Sequence, residues 1–154
     1  MVPTGRYLAS ISALAVTGAI TLIQIKAGST HAVRLLRAWL NQSSTTTSAR
    51  QRIQIARKTA AATVTSFTPI KLGASAAAAA IGGTSATGYN ASAEGTDGDI
   101  LLPDAFDLVV GWEKVWVPEE RIVVPPGGII AMTLPAAPGG STTFSGGIVF
   151  DEIG

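Results

Sequence analysis

The chain has 154 residues, 47% of them apolar and none of them cysteine, which indicates one domain with a sizeable core and excludes disulfides and thiolate metal sites. Its charge is divided along the sequence: residues 1–93 contain nine basic residues and no acid, whereas residues 94–154 contain all ten acids and two basic residues. The two parts therefore carry +9 and −8. Such a balance argues against a dedicated nucleic-acid binder and favours self-complementarity, within one fold or between copies of the chain.

The first elements come from an uncharged run, Tyr7–Ile25, which is long enough to cross a bilayer. Polar residues dilute this run, and the turn-like pair Thr17-Gly18 divides it into pieces of strand length. The second piece is dominated by β-branched residues. The pattern predicts strands over Tyr7–Val16 and Ile20–Lys26, with no membrane or export role.

The next segment, His31–Gln42, has apolar residues compatible with either a strand or a helix. We predict a strand, because the segment is short and only Gly28-Ser29-Thr30 separates it from the preceding strand. After a Ser/Thr-rich loop, Gln51–Lys58 alternates, with Ile53 and Ile55 on one face, which is typical of a half-solvated antiparallel strand.

The middle of the chain, Ala60–Gly98, has little periodicity. Ala74–Ala80 has helix propensity but is stopped by Gly82-Gly83, so at most two turns of helix fit. We expect Thr84–Gly98 to be an extended polar loop. Within the single domain over residues 1–154, the stretch around 73–98 is thus predicted to be a flexible or extended Ala/Gly-rich arm.

The last third is the most regular part of the sequence, because turn residues separate its apolar runs at short intervals. The predicted strands are Ile100–Val110, Gly111–Val117, Glu119–Val124, Ile129–Leu134 and Thr142–Ile153. The last one contains Gly146-Gly147, which we interpret as a bulge. About eight short strands predict an all-β fold, an antiparallel β-sandwich of the jelly-roll type.

Catalytic chemistry has little support in the sequence. His31 is the single histidine and has no carboxylate near it in sequence, and no nucleophile elbow, P-loop or zinc-protease motif occurs. Asp97 and Asp99 could supply oxygen ligands to calcium. Without EF-hand spacing, we expect these carboxylates to meet the basic half of the chain instead. The sequence therefore predicts no enzyme, no cofactor and no metal site, with Asp97 and Asp99 the weak metal candidates.

The residues that could contact partners fall into three groups: cations of one strand, small residues of the arm, and two tryptophans four residues apart. The cations could also suit nucleic acid, but no motif supports specific binding. The tryptophans would share one face of a strand, for core or interface packing, with a sugar platform as the minor alternative. The interface candidates are Arg52, Arg57, Lys58, Ala76, Ala78, Trp112 and Trp116.

The C-terminal third resembles small β-sandwich proteins encoded among the virion genes of tailed phages. The resemblance lies in the segments Pro118–Arg121, Val123–Gly128, Leu134–Pro138 and Ser145–Ile153, with Ile20–Ala27 and Arg34–Gln42 similar as well. It implies a capsid decoration (cement) protein or another head or tail component. The matching residues are turns and strand ends, so the resemblance transfers no functional residue.

The residues and the resemblance together predict a structural subunit, most simply a homotrimer, that binds the major capsid protein on the outer surface of a phage head and stabilises the shell. Such a protein would be made in the host cytoplasm. Many weak contacts repeated by symmetry suit this role. The alternatives are a tail or head-fibre component, or a carbohydrate-binding β-sandwich that uses the two tryptophans and the acidic loop.

Overall fold

The computed structural model describes residues 5–73, 79, 81 and 86–154, and this part of the chain is built almost wholly from β-strands. The short 3₁₀ helix Pro118–Glu120 interrupts them. The strands are β1 (Arg6–Val16), β2 (Ile20–Lys26), β3 (Ala32–Gln42), β4 (Arg50–Ala60), β5 (Thr63–Ser66), β6 (Ile70–Lys71), β7 (Gly88–Ala93), β8 (Thr96–Asp107), β9 (Trp112–Val115), β10 (Val123–Val124), β11 (Ile129–Leu134) and β12 (Thr142–Ile153).

The strands form two antiparallel sheets that pack face to face. Sheet 1 has the order β6-β1-β12-β3, and β9 and β10 pair in succession along the outer edge of β3. Sheet 2 has the order β5-β7-β2-β11-β4-β8. Its central strands β2-β11-β4-β8 and the strands β1-β12-β3-β9 of sheet 1 have the connectivity of a jelly roll, in which early strands pair with late ones. The predicted all-β jelly-roll sandwich is confirmed.

The core lies between the sheets, where large apolar side chains of neighbouring strands stand in register. In sheet 1, Phe150 of β12 lies between Tyr7 and Leu35, and all three side chains are buried. In sheet 2, Met132 of β11 lies between Ile23 and Ile55 in the same way. Full burial of one such side chain contributes about 1.5–3 kcal/mol, so these central rows are a main source of stability.

The predicted bulge at Gly146-Gly147 is wrong, because both glycines keep regular register with β1 and β3. The irregularity lies opposite, in β1 between Ile11 and Leu14, where Ala13 has φ 52°. The glycines are needed for close packing instead. A Cβ atom on Gly146 would lie 2.3 Å from the carbonyl oxygen of Trp39, and one on Gly147 would lie 2.8 Å from a carbonyl oxygen of β1.

The predicted loop over Thr84–Gly98 is largely β-structure where the structure describes it. Gly88–Ala93 forms β7, and β8 begins at Thr96. β7 pairs with β2 on one side and with β5 on the other, so long-range hydrogen bonds select the strand in a segment without apolar alternation. The possible helix over Ala74–Ala80 falls, apart from the buried Ala79, outside the described residues.

The predicted strand over Glu119–Val124 is shorter than expected. Pro118 begins the 3₁₀ helix, and only Val123–Val124 pairs as β10. Proline is suited to a helix start because its missing N–H would have no partner there. No helix in the described part of the chain is long and apolar enough to cross a bilayer.

Candidate functional site: the two edges of sheet 1

The fold brings the oppositely charged halves of the chain together. In the described residues, every ion pair joins a cation of the basic half to a carboxylate of the acidic half. The pairs are Arg34–Asp151, Arg37–Glu113, Arg57–Asp99, Lys58–Glu94 and Lys58–Asp97. Each half supplies strands to the same sheets in a jelly roll, so charges far apart in sequence become cross-strand neighbours. Part of the charge division is therefore neutralised inside the subunit.

The most buried cation of these ion pairs is Lys58 on the outward face of sheet 2, whose partners Asp97 and Glu94 keep 36% and 43% of their side-chain surface exposed. Its side chain is 1% exposed, and its Nζ lies 2.7 Å from Oδ1 of Asp97 and 3.8 Å from Oε2 of Glu94. Gln54 donates a hydrogen bond of 3.1 Å to the other oxygen of Asp97. Thr21 donates its backbone N–H and its hydroxyl to Glu94, at 2.7 and 2.5 Å.

This outward face is buried because the chain folds back across it. Gln24 exchanges hydrogen bonds with the backbone of Ala62, at 2.9 and 3.2 Å, and donates another to the carbonyl of Ala86. The connection between β4 and β5 and the residues just before β7 therefore cover Gln24 from outside, while Glu94, between β7 and β8, lies over Thr21. Lys58 has its ammonium enclosed within the subunit, which removes it from the candidates for partner contact.

The tryptophans expected at an interface are buried as well. Trp112 and Trp116 are 7% and 4% exposed, and the indole N–H of Trp112 donates to a carboxylate oxygen of Asp104 at 3.0 Å. Trp116 lies just beyond the end of β9, so the two side chains are held in the core by different elements. Neither ring face is open for stacking on a sugar.

A shallow cavity of about 190 Å³ lies near the half-buried Trp39 and is lined by Arg37, Asn41 and Glu113, among others. The Arg37 guanidinium stands 4.7 Å from the Trp39 ring and is fixed by two hydrogen bonds to Glu113, at 2.5 and 3.0 Å. This arrangement covers the indole with a cation and leaves little apolar surface for a ligand.

The remaining predicted residues have no common location. Arg52 and Arg57 are exposed on β4, with Arg57 Nη1 4.0 Å from a carboxylate oxygen of Asp99. Ala76 and Ala78 fall outside the described residues. Asp97 is occupied by Lys58 and Gln54, while the side chain of Asp99 is 82% exposed. Across the described ranges, no three His, Asp or Glu side chains are grouped closely enough to hold a metal ion.

The most exposed aliphatic side chains of sheet 1 lie along its two edges. On the β9–β10 edge, Val115, Val117 and Val123 are 57%, 53% and 44% exposed. The 3₁₀ helix between them presents the exposed carboxylates of Glu119 and Glu120, whereas Lys114 and Arg121 of the same segment are half-buried. We call this segment, residues 113–124, the acidic edge.

The opposite edge of sheet 1 is formed by β6, which pairs with the start of β1. Ile70 and Leu72 are 59% and 52% exposed there, and the cations of Lys71 and Arg6 beside them are exposed too. The N–H of Leu72 donates to the carbonyl of Arg6 at 2.9 Å, which continues the pairing past the end of β6. We call residues 70–72 together with Arg6 the basic edge.

Sequence reasoning missed both edges. Ile70–Leu72 lies in the segment without periodicity, and the alternation around Trp116 predicts a strand without showing that Val115 and Val117 would face solvent. The signal that was available is the charge: Lys71 belongs to the basic half, and Glu119 and Glu120 belong to the acidic half.

Comparison of the chain with protein-family models, with curated protein sequences and with solved structures gave no significant match. A jelly roll hosts many unrelated functions, so the function has to be argued from the surfaces described above.

Proposed function

We propose that this protein is a structural virion subunit: a capsid decoration (cement) protein that associates with copies of itself and binds the major capsid protein of a tailed-phage head. The observation that carries the proposal is the pair of edges of sheet 1. Each edge combines exposed aliphatic side chains with exposed charge, and the exposed charges at the two edges are opposite in sign.

The two complementary edges lie at opposite ends of sheet 1. When the acidic edge of one copy meets the basic edge of the next, the contact is head-to-tail rather than two-fold. A contact of this kind produces a closed ring or an open filament, depending on the rotation between neighbours. A homotrimer is the smallest closed ring larger than a dimer, and it leaves no edge unfilled. Exposed aliphatic residues supply the apolar contact, while the charges set which edge meets which.

The proposed shell role is also supported by the resemblance of the sequence to small virion proteins and by the fold itself. Jelly rolls are common in viral capsid proteins, which is support by analogy alone. A subunit with 14% charged residues and exposed aliphatic side chains along two sheet edges suits a surface that is largely covered by neighbours.

Charge reversal tests the self-association. We expect Lys71→Glu or Glu120→Lys alone to shift the protein toward monomer in analytical ultracentrifugation, and the two together to restore the oligomer. Raising the salt concentration from about 0.05 to 0.5 M should weaken the wild-type oligomer, because exposed charges are screened over about a Debye length. Arg52→Glu, an exposed reversal on sheet 2, is the control and should leave the oligomer unchanged.

The apolar part of the contact has a matched control of its own. Leu72 on the basic edge and Ile100 on β8 of sheet 2 are 52% and 51% exposed. Leu72→Asp should dissociate the oligomer, whereas Ile100→Asp should not. A wild-type protein that stays monomeric at all concentrations, or variants that respond alike, would overturn the proposed edge contact.

The shell role is tested separately, by co-sedimentation of the protein with phage heads and by mass spectrometry of purified virions. Hundreds of copies per virion would support decoration of the shell. A handful of copies would place the protein in the tail or a head fibre. Absence from virions and from capsid pellets would refute the virion role, whatever the oligomeric state.

A further inference from the structure

Lys58 is buried at a position that plays no part in the proposed function. The side chain of Lys58 is enclosed, and its amine touches one carboxyl group while a second carboxylate lies beside it. We propose that Lys58 and Asp97 form an intramolecular amide (isopeptide) bond, with Glu94 as the catalytic acid–base group.

The reacting atoms are already close. Nζ of Lys58 lies 2.7 Å from Oδ1 of Asp97. Since Oδ1 is bonded to Cγ, the amine lies within about 4 Å of the carboxyl carbon, near the ~3–3.5 Å separation of a near-attack conformer. The two residues are also cross-strand partners in the register of β4 and β8, which limits how far they can separate.

Their surroundings hold each group in place. Gln54 donates to Oδ2 of Asp97, so an N–H dipole points at the oxygen on which negative charge develops during attack. Glu94 is fixed by the backbone N–H and the hydroxyl of Thr21, with its Oε2 3.8 Å from Nζ. An ordinary ion pair needs one carboxylate. Glu94 is a second carboxylate held beside the amine, and a condensation needs such a group to move protons between the amine and the leaving oxygen.

The chemistry balances without any other reactant. The first step is the transfer of one proton from the Lys58 ammonium to the Asp97 carboxylate, which gives a neutral amine and a neutral acid. Nζ attacks Cγ of Asp97 and gives a proton to Glu94. Glu94 returns that proton to the departing hydroxyl oxygen as the Cγ–O bond breaks. The products are a secondary amide and one water molecule, and Glu94 is regenerated.

The bond would fasten an exposed edge of the sandwich. β8 is the outer strand of sheet 2 and has β4 as its one strand partner in the described residues. A covalent link from β4 to the beginning of β8 would prevent this strand from peeling away. The link would cost little conformational entropy, because both side chains are already ordered by their contacts.

Intact mass spectrometry of the purified full-length chain, under denaturing conditions, is the direct test. Loss of one water lowers the mass by about 18 Da relative to the sequence. Proteolysis followed by tandem spectrometry should recover a branched peptide that joins the Lys58 and Asp97 segments. A folded wild-type protein that keeps its full sequence mass after prolonged incubation at neutral pH would overturn the proposal.

The variants separate the covalent bond from the ion pair. Lys58→Arg keeps the positive charge but cannot form this amide, and Glu94→Gln removes the proton carrier; both should keep full mass while remaining folded by circular dichroism. Asp97→Asn should lose about 17 Da instead, since ammonia is then the leaving group. Lys114→Arg, on a half-buried lysine elsewhere, should still show the water loss. A water loss that persists in Lys58→Arg would place the modification elsewhere and refute the assignment.

Discussion

Two arginine–carboxylate pairs of β3 give a prediction whose size follows from burial. Arg34 binds Asp151 through Nε and Nη2, at 3.0 and 2.6 Å, and the carboxylate is 7% exposed. Arg37 also donates through Nε and Nη2, but both hydrogen bonds go to Oε2 of Glu113, and these two side chains are 45% and 52% exposed. The perturbations are Asp151→Asn and Glu113→Gln, which remove the charge and keep the shape.

The expected cost at Asp151 is about 2–3 kcal/mol. The amide of the variant keeps one acceptor oxygen, so one charge-assisted hydrogen bond worth about 1.5–3 kcal/mol net is lost, together with the attraction between the two charges. The cost is limited because Arg34 is 35% exposed and can regain water. The hydrogen bond to Asp151 raises the pKa of Arg34 above its ordinary value. The variant loses this shift, but the cation stays charged because a guanidinium is not deprotonated in proteins. Arg6 is the cross-strand neighbour of Asp151 on β1, and the change leaves two cations beside an uncharged amide.

Glu113→Gln should cost at most about 1 kcal/mol, because an exposed pair gains little over hydration. Urea denaturation followed by tryptophan fluorescence measures both values. In thermal melts, a domain of this size loses about 2–4 °C per kcal/mol, so Asp151→Asn should lower the melting temperature by roughly 4–12 °C. Equal effects of the two variants, or a cost below about 0.5 kcal/mol at Asp151, would refute the argument from burial.

Two further predictions concern packing and pH. Gly146→Ala should lower the free energy of unfolding by about 3 kcal/mol in urea denaturation, because the added Cβ would lie 2.3 Å from the Trp39 carbonyl oxygen. Gly139→Ala is the control: Gly139 has open space around it, so the change should stay within about 0.5 kcal/mol. Hydrogen bonds from the Ser48 hydroxyl and the Val109 N–H lower the pKa of Asp107. They therefore stabilise the fold at pH values above the ordinary pKa of a carboxyl group, and this stabilisation is lost as the pH falls through the lowered pKa. Ser48→Ala should raise the pKa of Asp107 in an NMR titration and should destabilise the protein at about pH 7 but not at about pH 2; an unchanged pKa would contradict this reasoning.

The strands that were predicted correctly are those with a local signal. Ile20–Lys26, Ile129–Leu134 and Thr142–Ile153 have the predicted bounds, because β-branched or alternating residues stand between turn residues. β5 and β7 were not predictable in this way. Val64 and Tyr89 stand among small and polar residues without an apolar period. β7 is a strand because it pairs with the edge of β2, and β5 in turn pairs with β7.

The burial of Lys58 was also outside the reach of local reasoning. Its place in the alternation of β4 puts it on the face opposite the core, which the sequence indicates to be solvated. Lys58 is nevertheless buried, because Glu94 and Asp97, almost forty residues further on, return across it. A period-two pattern shows which residues share a face, but it does not show whether a later segment covers that face.

The division of charge along the chain has two physical consequences that follow from the topology. Where early and late strands are neighbours in a jelly roll, opposite charges pair inside the subunit, as at Arg34–Asp151 and Lys58–Asp97. β6 and the segment around β10 lie at opposite ends of sheet 1, where Lys71 and Glu120 form no ion pair within the described residues and keep exposed charges of opposite sign. The same sequence asymmetry therefore stabilises the interior and leaves complementary edges, and a second copy of the chain is the simplest partner that carries both.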